Sequence, residues 1–204
     1  SVSMSPGDSV ERGVYDRSDT TITLAGVDYR LVAAHGLPES DSPSHATRLL
    51  IDALRDLDDL TAHRALVFNP GQGHVPIALS RLVRPSALHL IDRDLLALRC
   101  ARRNLLLNGC SNEGVSISHQ VGLAGDADQP FDLIAGVLRE DEGPAGIALA
   151  AQQASHRLAP GGLMLLAGGS TAASRLTKRL RDERLLRVEE RKRHKGAALL
   201  VLRH

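Results

Sequence analysis

Tryptophan is missing from this chain, and two tyrosines and two phenylalanines are the only aromatic residues in its 204 positions. A core without rings must be filled by Leu, Val, Ile and Ala. Proteins that grip unstacked bases lean on aromatic platforms worth roughly 1–3 kcal/mol per base, and Tyr15, Tyr29, Phe68 and Phe131 offer almost none. Cysteine is as scarce: Cys100 and Cys110 lack metal-type spacing and read as reduced, structural thiols. No apolar run is long enough to cross a bilayer and no apolar signal core opens the chain, which predicts a soluble cytoplasmic protein with neither membrane nor metal partner. A net charge of +1 forces no polyanionic partner.

What is present is a run of alternating strands and helices. Arg64–Phe68 is a short apolar run that stops at Asn69-Pro70-Gly71-Gln72-Gly73, after which Val75, Ile77, Ala78, Leu79 and Leu82 recur at helical spacing. A second strand, Ala87–Ile91, ends on Asp92, and Asp94 can cap the next helix, which Asn108-Gly109 closes. A glycine loop between strand and helix brings a ligand close to backbone amides. An acid at the tip of the next strand can accept two hydrogen bonds from a ribose diol. The pairing points to a nucleotide-like ligand, although tight strand-to-helix turns also use glycine for steric reasons alone.

The remaining segments extend this pattern. Ser1 to about Ser18 is Ser-, Gly- and Asp-rich and reads as a flexible tail, so the folded domain is expected over 19–204, with a β-hairpin at 19–34. A helix capped by Ser42 or Ser44 precedes the first sheet strand. Val115–Val121, Phe131–Val137 and Leu163–Ala167 read as further strands, with an Ala-rich helix over Gly146–Leu158. The turn Ala159-Pro160-Gly161-Gly162 precedes the last of these strands. A basic helix, Ser170–Arg184, leads to two strands about Lys195-Gly196. The predicted fold is α/β, a doubly wound, mostly parallel sheet of seven strands with a C-terminal antiparallel hairpin.

Gly71-Gln72-Gly73, Asp92 and the A-x-x-x-A-x-x-N-x-x-x-N-G helix Ala97–Gly109 resemble the cofactor half of class I S-adenosylmethionine-dependent methyltransferases. They are most similar to the "methyltransferase small" group that includes ribosomal RNA guanine-N2 methyltransferases, and the resemblance runs from about Thr20 to His204. It implies S-adenosylmethionine as cofactor, with its methionine part against Gly71 and Gly73 and its ribose on Asp92, beside Arg93. Asn69 stands where the family has glycine. Gln120 falls near the family's adenine-amine contact, or is simply a polar strand end, and His74 either approaches the cofactor carboxylate or is a surface histidine.

Two departures matter. Val67 occupies the place of the family's acid, which holds the methionine ammonium. Val137-Leu138-Arg139-Glu140 replaces the Asn/Asp-Pro-Pro-aromatic segment that receives a base amine, so Val137 and Arg139 become candidates for a different acceptor, or the segment is a solvated loop. The implied activity is methyl transfer with RNA, ribosomal or other, as one acceptor class. The rival is a catalytically degenerate module that binds RNA or a protein partner. The basic segment 175–195 either meets RNA phosphates or coats an exposed helix and edge strand.

Overall fold

A computed structural model describes residues 16–40, 42–57 and 61–204. The segment read as a tail therefore lies mostly outside the described residues. An antiparallel hairpin, β1 (Asp16–Leu24) and β2 (Val27–Ala34), precedes helix α1 (His45–Asp56). Strands β3 (Arg64–Phe68) and β4 (Ala87–Asp92) flank α2 (His74–Leu82), and α3 (Leu95–Leu107) leads to β5 (Val115–His119). After β6 (Phe131–Val137) come α4 (Gly143–Arg157), β7 (Leu158–Gly169), α5 (Ser170–Glu183) and the closing hairpin β8 (Arg187–His194) and β9 (Ala197–Arg203).

The main sheet has the order β5-β4-β3-β6-β7-β9-β8. Its first five strands are parallel, and β9 runs antiparallel to both of its neighbours. Along β3 the side chains alternate between two cores. Ala65 and Val67 join the core built with α1 and α2, while Leu66 and Phe68 join the core built with α4 and α5. Burial on both faces is why this strand reads as an unbroken apolar run. Helix starts are fixed locally: Ser44 Oγ accepts from the Thr47 amide at 3.2 Å, and Asp94 Oδ1 from the Leu96 amide at 2.9 Å.

Three boundaries differ from the sequence reading. The strand expected to reach Val121 stops at His119, because the chain turns away and leaves Val121 85% exposed. Helix α4 starts at Gly143, its first turn accommodating Pro144, whose missing amide costs nothing there. The expected turn at 159–162 is absorbed into β7 as an irregularity, with the β6 pairing shifting register between Phe131 and Leu133. No helix joins β5 to β6; residues 120–130 are irregular, and Leu123 drops into the α4 and α5 core.

The strand order runs outward from β3 through β4 to β5, then restarts on the other side of β3 with β6. This reversal opens a crevice at the C-terminal tips of the strands, where open α/β sheets hold ligands.

Candidate active site

Asn69 closes β3 with a left-handed backbone, φ 50°, which asparagine tolerates better than most residues. Its amide donates to Ile91 O at 3.0 Å, and its Nδ2 donates to Val137 O at 2.8 Å. One residue thereby ties the tips of β3, β4 and β6 together. Val137 is engaged there through its backbone carbonyl, and its half-buried side chain packs against the core built with α1 and α2.

The two loop glycines have different jobs. Gly73, at φ +106°, has no room for a side chain: a Cβ would sit 3.2 Å from the Ala101 backbone, so the missing methyl lets α2 begin against α3. Gly71, at φ +54°, faces open space, and the nearest atom to a Cβ there is Glu39 Oε2 at 4.0 Å. Between them, fully buried Gln72 accepts from the Ala34 amide at 3.0 Å and donates to Ala34 O at 3.2 Å, fastening the loop to β2.

The asparagines of the A-x-x-x-A-x-x-N-x-x-x-N-G helix fasten the same region. Asn104 Nδ2 donates to Gln72 O at 2.8 Å and its Oδ1 accepts from the Val32 amide at 2.9 Å; Asn108 exchanges hydrogen bonds with the Arg30 backbone. That motif holds the loop and hairpin in register with α3.

His74 is not a surface histidine. It is 1% exposed, because the first turn of α2 lies under β2, where its Nδ1 meets the Tyr29 hydroxyl at 2.7 Å. Burial lowers its pKa and raises that of Tyr29, so the pair is held neutral.

Asp92 sits at the tip of β4 with its side chain fully buried. Its Oδ1 accepts from the Asp94 amide at 2.9 Å, and its Oδ2 meets an Arg139 Nη at 3.3 Å. Burial raises its pKa, and the Asp94 amide and Arg139 pull the other way. Shifted buried carboxyl groups of this kind collect at functional sites and in structural ion-pair networks alike. Around it, Arg93 pairs with Asp141, and burial also raises the pKa of Glu142. The Arg139–Glu142 segment forms a polar rim tied to Asp92 through Arg139, with Glu140 and Asp141 exposed to solvent.

Beside this rim lies a cavity of about 250 Å³. Phe68, Ile91, Leu123, Leu149 and Ala150 form its apolar wall, and Asn69, Asp92, Arg93, Gln120 and Glu142 its polar one. Gln120 Nε2 donates to Ala124 O at 2.8 Å within its own loop. Four of the sequence candidates, Asn69, Asp92, Arg93 and Gln120, therefore converge on one cavity, with Gly71 on the neighbouring loop and Arg139 on the carboxylate of Asp92. Gln72 and Glu39 were missed; Gln72 stands between the two loop glycines, and Glu39 is one of several polar residues in the segment before α1. Among the described residues no cluster of His, Cys, Asp and Glu could hold a metal ion, and no helix is long and apolar enough to cross a membrane.

A sheet of this order, with a glycine loop and a strand-tip acid about one crevice, is the architecture of S-adenosylmethionine-dependent methyltransferases. Residues 28–171 match the methyltransferase small domain, and the chain belongs to that family. Ribosomal protein L11 methylase from Lactobacillus delbrueckii subsp. bulgaricus superposes with a TM-score of 0.67 at 17% identity, over 78% of this chain and 79% of its own. The T. thermophilus 16S rRNA N2 G1207 methyltransferase, solved with AdoMet and guanosine, gives 0.64 at 21% identity over 91% of this chain. The present chain spans 44% of that protein's length. TrmN from Thermus thermophilus gives 0.59 at 20% identity, over 76% of this chain and 48% of its own. At these identities the likeness is one of fold. No curated protein matches the chain.

Proposed function

We propose that this chain binds S-adenosylmethionine in the crevice at the tips of β3, β4 and β5 and transfers its methyl group to RNA. The observation that carries this reading is the convergence of Asp92 and Gln120, from adjacent strand tips, on one apolar slot of about 250 Å³. That volume lies just below the ~300 Å³ at which pockets for whole ligands begin, and so suits a nucleoside end. The residues present fit it: Ile91, Leu149 and Ala150 offer apolar surface to a base, Gln120 a carbonyl to its amine, and Asp92 a carboxylate to the ribose diol. Arg93 and Asn69 line the same slot. The amino-acid end lies along Gly71, towards the N-terminus of α2, which no side chain caps and whose dipole favours a carboxylate.

The bound donor supplies a methyl group on a sulfonium, a leaving group that needs no proton. The residues of the chain contribute positioning, and no side chain is required as acid or base. Asp92 exchanges its Arg139 partner for the diol, which frees the guanidinium at the crevice mouth.

Acceptor recognition by the usual Asn/Asp-Pro-Pro-aromatic device is excluded by Val137-Leu138-Arg139-Glu140. RNA is supported instead by charge. Arg175, Lys178, Arg179 and Arg181 are exposed on α5, and a groove of about 290 Å³ between α4 and α5 runs from Glu140, on the rim, to Arg175 and Arg179. Arg191, on the adjoining β8, adds a further positive charge beside α5, its guanidinium donating to Ser174 Oγ at 2.7 Å. The test is transfer of a labelled methyl from S-adenosylmethionine to RNA, with the Arg175, Lys178 and Arg179 triple alanine variant as control. Weaker RNA binding with a flatter salt dependence is expected of that variant; an unchanged slope discards the basic face.

A second reading, a non-catalytic module that binds RNA or a protein, draws on two observations: the Asp92 carboxylate is already paired with Arg139, and Val67 leaves β3 without its acid. Labelled methyl transfer separates the two.

A further inference from the structure

We infer that Glu39 is the anionic partner of the cofactor's α-ammonium, taking the part that Val67 cannot play; this rests on the cofactor reading above. An amino-acid zwitterion bound along Gly71 brings one positive and one negative group into a partly desolvated place. The ammonium needs an anion there, because an uncompensated buried charge is costly. Val67 is fully buried in the α1 and α2 core and carries no charge.

Glu39 reaches the same place from a different part of the chain. Its Oε2 lies 4.0 Å from the point where a Cβ on Gly71 would stand, on the open side of that residue. Its other oxygen is committed: Oε1 accepts from the Ser44 amide at 2.5 Å and from Thr47 Oγ1 at 2.7 Å, both at the start of α1. The backbone is fixed as well. Glu39 holds a left-handed conformation, φ 63°, that costs a non-glycine residue about 1–2 kcal/mol, and its carbonyl faces His74 Nε2 at 3.4 Å. A strained, half-buried residue gripped by one carboxylate oxygen presents the other to Gly71 in a set position. Strain of this kind collects where a ligand is held.

The grip on α1 offers a structural reason for Glu39, and the experiment must separate the two. S-adenosylhomocysteine and 5′-methylthioadenosine share adenine, ribose and thioether, and only the first carries the amino acid. Calorimetry with both ligands on the wild type, Glu39→Gln and Glu39→Asp reads the difference. Glu39→Gln keeps an oxygen for Ser44 and Thr47 and removes the charge. The expected result is a loss of about tenfold or more in S-adenosylhomocysteine affinity, the scale of one charged hydrogen bond, with methylthioadenosine affinity unchanged and Glu39→Asp in between. Equal losses for both ligands would make Glu39 a structural fastener and overturn the inference, as would no loss for either. If the wild type binds neither ligand, the cofactor reading itself fails and takes this inference with it.

Discussion

Replacing Asp92 by asparagine removes a charge and keeps the shape, and two opposite consequences are expected. In the ligand-free protein the carboxylate is buried and its pKa is raised, burial being the largest cause. The folded state therefore holds this proton more tightly than the unfolded chain does. The stability that Asp92 contributes is then fully present below its unfolded pKa and is lost as pH rises through the folded one. At neutral pH the ionised group is a liability that Arg139, 21% exposed at 3.3 Å, only partly offsets. Asp92→Asn keeps an acceptor for the Asp94 amide and should melt no lower than the wild type at pH 8, the difference shrinking as pH falls. Ligand binding should move the other way. A ribose diol donates two hydrogen bonds to the carboxylate, each worth about 1.5–3 kcal/mol, and the amide can accept one at reduced strength. A loss of about tenfold to a hundredfold in S-adenosylhomocysteine affinity is expected, at 1.4 kcal/mol per decade. Melting curves from pH 5 to 8, with calorimetry on the same samples, read both effects. Strong destabilisation at pH 8 with unchanged ligand affinity would refute the reasoning, since it would make Asp92 a structural residue.

Arg139→Gln should tighten the same ligand by about threefold to tenfold, because a partly exposed ion pair of roughly 1 kcal/mol no longer competes with the ribose; weaker binding would show that Arg139 itself holds the ligand. Gly136→Ala places a methyl inside the ring envelope of Phe68, at the foot of the crevice. A loss of about 1–3 kcal/mol of stability is expected from overpacking, read as a lower urea midpoint at unchanged slope, and an unchanged midpoint would show that the ring moves freely. His89, whose pKa is lowered to about 4 by burial and then by Arg157 and Arg64, contributes stability above the unfolded value of about 6.5 that fades as pH falls to about 4. His89→Gln should therefore flatten stability over that window, and an unaltered acid limb would contradict the assignment.

The sheet was readable because each strand is a short apolar run cut off by a turn signal, and the helices because Ser44 and Asp94 cap them at the expected places. Asp92 was readable as a strand-tip acid followed by a capping residue. The division of labour between Gly71 and Gly73 was not, since only the approach of Ala101 from α3 distinguishes them. Arg139 meets Asp92 across 47 residues of chain and Glu39 reaches Gly71 from the segment before α1. Such pairings depend on how layers stack, and neither local propensity nor spacing records it. The expected surface position of His74 failed for the same reason: the hairpin that buries it is 45 residues away, at Tyr29.

The central claim is that the crevice beside Asp92 holds an adenosine-bearing methyl donor. Calorimetric titration of the wild type with S-adenosylhomocysteine addresses it most directly. Saturable heat at one site per chain, weakened in Asp92→Asn, is the expected result; no heat and no melting shift at millimolar ligand would contradict it.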